Sequence, residues 1–69
     1  MDMTTKEINS RKESIENQLV LLFKSNMKIT DWDVPEADDR KAAQMIVDIL
    51  QKKLDSIKKD VDEGKYNFY

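Results

Sequence analysis

From Thr4 to Asn26 the apolar residues Ile8, Ile15, Leu19, Leu22 and Phe23 recur at the spacing that gathers side chains on one side of an α-helix. Thr4 with Glu7 three residues on makes a capping-box pattern at the start. Lys24 and Lys28 stand where a helix dipole favours cations at the end. These features predict a first helix over about residues 4–26. A second stretch is more regular: Val47, Leu50, Leu54, Ile57 and Val61 alternate steps of three and four, a heptad-like seam that Ala43 extends backwards. Asp33 with Glu36 repeats the capping-box pattern, Pro35 suits a first helical turn, and Asp38 and Asp39 put negative charge at an N-terminus. Gly64 is a natural stop. A second helix is therefore predicted over about residues 34–63, leaving a connector at 27–33 and a short aromatic tail at 65–69. Asp48 with Lys52 and Asp55 with Lys59 are acid-then-base pairs four apart, which support an exposed face.

The predicted fold class is all-α: an antiparallel two-helix hairpin forming one domain over residues 1–69. A lone hairpin needs one narrow apolar stripe per helix, and projection at roughly 100° per residue shows stripes that widen. In the second helix, Ala42, Met45, Ile46 and Ile49 carry the apolar arc far round one side of the seam. In the first, Val20 and Leu21 fall off the seam, so Leu19 to Phe23 is apolar nearly all round. Both widenings adjoin the connector. One hairpin cannot bury such a block on both sides, and each fully buried Leu or Ile left wet forgoes on the order of 2 kcal/mol. The expectation is that a second hairpin covers the block, giving a four-helix bundle. The alternative within one chain is that Trp32 or the tail folds over the surplus.

Length and composition press the same way. A chain of 69 residues makes one marginal domain, and such chains usually rely on disulfides, a metal or association. With no Cys and no His, disulfides are impossible and zinc lacks its usual ligands, so no cofactor is expected and association remains. A single Gly and a single Pro argue against turn-rich sheets. A net charge of −2 gives no general attraction to phosphate, and the run Leu19 to Phe23 is too short to span a bilayer. No secretion or lipidation signal is read at the start, so the expected location is cytoplasmic.

Candidate chemistry is sparse. Asp31, Asp33, Glu36, Asp38 and Asp39 form the one carboxylate cluster, but read as a calcium loop it has Glu36 at the sixth position and Ala42 at the twelfth, where Gly and Glu are required. Helix capping explains the same acids. Ser10, Ser14, Ser25 and Ser56 have no His to activate them, and one glycine makes no phosphate loop, so no enzymatic activity is expected. The basic pairs Arg11–Lys12, Arg40–Lys41, Lys52–Lys53 and Lys58–Lys59 would suit nucleic acid if aligned, yet acids are interleaved with them. Trp32 serves either as an anchor for a partner or, the favoured reading, as a lid on the loop end of the core with its ring over Phe23 or Met45. The tail residues Tyr66, Phe68 and Tyr69 suit a short binding motif or a segment folded back on the helices.

The resulting expectation is a non-enzymatic protein-interaction module, a homodimeric regulatory or scaffolding adaptor. Its contact residues would be Val20, Leu21, Phe23, Trp32, Met45, Ile46 and Ile49. A nucleic-acid-binding hairpin is the alternative from another class. A small chaperone, inhibitor or assembly subunit, stable mainly when docked on a larger protein, is a third.

Overall fold

The computed structural model describes residues 2–68, which form two helices, α1 over Met3–Asp33 and α2 over Asp39–Asp62. The two pack against each other as a helical hairpin, and the described residues contain no strand. With only residues 34–38 between them, the chain reverses and the helices run antiparallel.

α1 begins at Asp2 rather than at the expected Thr4–Glu7 box: the Asp2 carboxylate accepts a hydrogen bond from the Thr5 backbone N–H at 2.7 Å. That bond holds the Asp2 pKa below the ordinary carboxylate range. A charged oxygen at the positive end of the helix outcompetes a hydroxyl two residues further in. The other end departs further from expectation. The predicted connector, residues 27–33, is helical. Asn26 and Thr30, residue types that often end helices, instead donate from Nδ2 and Oγ1 to the carbonyls of Leu22 and Asn26, each at 2.9 Å and each one turn back. What stops α1 is Pro35, which forces Val34 into an extended conformation (φ −133°, ψ 83°). Val34 to Ala37 then form a tight turn, closed by the Ala37 N–H donating to the Val34 carbonyl at 2.9 Å, with Pro35 at its second position. α2 consequently starts later than predicted, capped by Asp38, whose side chain accepts from the Lys41 N–H at 3.1 Å. The Asp33–Glu36 box does not form, because Asp33 belongs to the last turn of α1.

The end of α2 is as predicted. Gly64 sits at φ +83°, and the pair of bonds Lys65 N–H to the Asp60 carbonyl and Gly64 N–H to the Val61 carbonyl, both 3.0 Å, make a Schellman motif. Lys65 brackets the same turn through its Nζ, 3.2 Å from Asp60 and 3.5 Å from Glu63, and these carboxylates raise the lysine pKa. A Cβ at position 64 would meet the Asn67 side-chain nitrogen at 3.0 Å in addition to the left-handed backbone strain. Gly64→Ala is expected to cost about 1–2 kcal/mol, read as a lowered melting temperature.

No described residue is fully buried. The best-shielded side chains lie beside the connector: Phe23, Asn26, Met27 and Thr30 on α1, and Ala42, Ala43, Ile46 and Leu50 on α2. The two alanines offer α1 a low surface to approach. Beyond this strip the apolar residues of both helices are exposed, and the molecule measures 50 × 26 × 17 Å, about as long as α1 alone.

Candidate protein-interaction surface

The helix register decides which side chains remain open. On α1, Ile8, Ile15, Leu22 and Ile29 stand seven residues apart, with Leu19 and Asn26 between them, so they make one stripe. That stripe is centred roughly 85° round the helix from the Phe23, Met27 and Thr30 strip beside α2, and the half-buried Asn26 lies on the border between the two. Its aliphatic members are about half exposed, Leu22 at 48% for example. On α2, Val47, Leu54, Ile57 and Val61 continue the heptad seam towards Gly64 and are likewise open, Leu54 at 52%. The sequence suggested that these seams close the hairpin. In the structure the best-shielded strip beside the connector takes in only Ala43 and Leu50 of the α2 seam, and the other apolar residues of both seams are exposed.

The expected contact residues divide accordingly. Phe23 and Ile46 are half-buried in the strip beside the connector, where α1 and α2 pack. Val20, Leu21, Met45 and Ile49 are exposed. Trp32 is not the lid that was expected: it is 83% exposed, in the last turn of α1. Nine residues, or two and a half helical turns, separate it from Phe23, so continuing α1 through residues 27–33 carries its ring to the opposite side of the helix. There it lines a shallow, open groove with Ser25, Lys28, Ile29 and Asp33. The tail does not cover the loop-end surplus either. Tyr66 and Phe68 follow α2, a helix of 24 residues and so about 36 Å long, and Phe68 is fully exposed in turns at its far end. Tyr69 lies outside the described residues. Ile8, Ile15, Leu19 and Leu22 on α1 and Val47, Leu54, Ile57 and Val61 on α2 were expected inside the hairpin and are exposed, and Ile29, expected in the connector, joins the exposed stripe because α1 continues through it.

Electrostatics single out the connector. Asp31, near the end of α1, has its pKa raised, first by a hydrogen bond to the Asp39 carboxylate, then by lost hydration and by repulsion from the same group. A carboxyl that holds its proton more tightly in the folded chain makes that chain bind more protons than the unfolded one. Stability from this pair is therefore present below the ordinary carboxylate range and is lost as pH rises through the raised value. Asp31→Asn is expected to remove that loss, so that the fall in melting temperature between pH 4 and pH 7 becomes smaller than in the parent. An unchanged pH profile would mean that the two carboxyls do not interact. Among the described residues no group of three or more acidic side chains is placed to hold a metal ion, and no helix is long and apolar enough to cross a membrane.

The accessible surface is 6600 Å², whereas a compact protein of 8.1 kDa exposes about 4,500 Å². The hairpin has thus removed only about 45% of its unfolded chain's surface, against the roughly 60% typical of a compact domain of this size. Comparison with family models, with curated proteins and with solved structures returned no match.

Proposed function

We propose that this chain is a non-enzymatic helical interaction module that works as a homodimer, its two hairpins pairing through the open apolar stripes into a four-helix bundle that serves as a small adaptor. The observation that carries this reading is the excess surface. About 2,100 Å² per chain is open beyond what a compact protein of this mass exposes, and two copies covering that excess would bury about 4,200 Å² in all. Obligate homodimers fall in that range, and their interfaces resemble a domain core cut in half, which is what a hairpin with no buried residue and two aliphatic stripes offers. The surplus residues Val20, Leu21, Met45 and Ile49 and the exposed Trp32 extend the same surface around the connector end, where a further protein would dock.

Sedimentation equilibrium over a wide concentration range, with far-ultraviolet circular dichroism on the same samples, tests the proposal. The expected result is a dimer whose helicity is lost on dilution together with the dimer mass. A fully helical monomer at every concentration would overturn it. A poorly helical monomer would move the reading to a hairpin that folds only on a larger protein.

A further inference from the structure

The α1 stripe also carries information about orientation. In heptad terms Ile8, Ile15, Leu22 and Ile29 occupy one core position (d), and Lys12, Leu19 and Asn26 occupy the other (a). The aliphatic and polar residues are segregated: every d residue is aliphatic, and the polar core residues, Lys12 and Asn26 with Thr5 and Asp33 at the two ends of the stripe, are all at a. In an antiparallel pair of α1 helices each a residue faces a d residue of the partner, so in any register Asn26 and Lys12 would be set against Ile or Leu. In a parallel, in-register pair a faces a and d faces d. The polar residues then meet each other and five aliphatic layers form, Leu19 included, with no Ile or Leu set against a polar residue. The like charges, Lys12 against Lys12 and Asp33 against Asp33, stand toward the ends of the stripe, where the long Lys12 side chain can turn its ammonium out to water.

Two further features agree with the parallel arrangement. Asn26 Nδ2 spends one hydrogen on the Leu22 carbonyl of its own helix, which leaves its second N–H and its Oδ1 to exchange with the same atoms of a copy. Flanking the core, Arg11 is at a g position and Glu16 at the e position five residues on, the spacing at which side chains meet across a parallel pair. Twofold symmetry makes that contact twice, Arg11 to the partner's Glu16 and the reverse. Leu at a with Ile at d also favours more than two strands, and two hairpins bring four helices.

We infer that the second copy docks on the α1 stripe in parallel register, with Asn26 against the partner's Asn26, so that both connectors and both Trp32 side chains lie at the same end of the dimer. The inference rests on the homodimer reading and specifies its geometry. The absence of cysteine makes it directly testable, because a single introduced thiol is unambiguous. Lys12→Cys places one thiol at a core position where only the parallel pair brings it within disulfide reach of its own copy. In glutathione buffer the variant is expected to convert nearly completely to a covalent dimer on a non-reducing gel, with helicity unchanged. A mixture with Ile29→Cys is expected to give homodimeric cross-links only. A chain that sediments as a dimer, yields no Lys12→Cys homodimer and instead forms the mixed Lys12→Cys/Ile29→Cys cross-link would be antiparallel, overturning the orientation while leaving the dimer standing. A chain that sediments as a monomer at all concentrations overturns both. In the parallel dimer, adding Asn26→Leu to Lys12→Cys is expected to tighten association and to let the mixed cross-link appear, because the residue that penalises the antiparallel alignment is gone. An Asn26→Leu variant that remains strictly parallel would remove Asn26 from the role given to it.

Discussion

Leu22→Lys is expected to raise the dissociation constant of the proposed homodimer roughly thirtyfold or more. Leu22 lies in the middle of the α1 stripe, between Ile15 and Ile29, and is half exposed in the single hairpin. Covering its remaining half in the dimer is worth about 1 kcal/mol, twofold symmetry doubles that to about 2, and each 1.4 kcal/mol is a factor of ten. The added ammonium adds to the loss by carrying charge into the interface. Sedimentation equilibrium reads the change directly. Leu21→Lys is the matched control: Leu21 is as apolar and more open, but lies 100° round the helix from Leu22, past the edge of the stripe. Its substitution is expected to shift the constant by only a few-fold. Equal losses from the two variants would place the interface on the wider block around the connector instead of on the heptad stripe.

Phe23→Ala is expected to act on a different link, the contact between the two helices of one chain. Full removal of a buried Phe costs about 3–5 kcal/mol, and Phe23 is half-buried, so a loss of about 2 kcal/mol is expected. Thermal melting at fixed protein concentration measures it. Ile46→Ala alone should cost less, and the double variant should lose less than the two single losses added together, because Phe23 and Ile46 belong to the same strip. Strict additivity would mean that these side chains do not share a contact. For a small domain each kcal/mol moves the melting temperature by about 4–8 °C, so both effects are large enough to read.

Stripe residues were expected to hold the hairpin together and residues around the connector to recruit a partner. In the structure Leu22 is exposed and Phe23 half-buried, neighbours in sequence that differ by 100° around the helix.

Much of the fold was legible because the controlling interactions are local. Two helices follow from apolar residues at steps of three and four with a single Pro and a single Gly in the chain. The end of α2 follows from Gly64, since only glycine takes φ +83° without strain. The hairpin follows from two long apolar-faced helices joined by a short turn at the one Pro. The end of α1 was not legible, because its signals are ambiguous by nature. Asn26 and Thr30 either break a helix or bond back to the carbonyl four residues earlier, and Pro35 serves equally as a first helical residue or as the residue that stops the preceding helix. Neighbouring geometry resolves both choices: the back-bonds form, and Pro35 turns the chain between Val34 and Ala37.

That local decision has a long reach. Continuing α1 for two more turns places Met27 and Thr30 in helical phase with Phe23, and this strip, not the longer heptad stripe, meets the alanines and Ile46 of α2. Periodicity by itself determined that each helix has an apolar face. Which face is spent inside the chain and which stays exposed was decided only by tertiary structure, because a helix shows its period in one dimension while pairing depends on the angle at which its neighbour arrives.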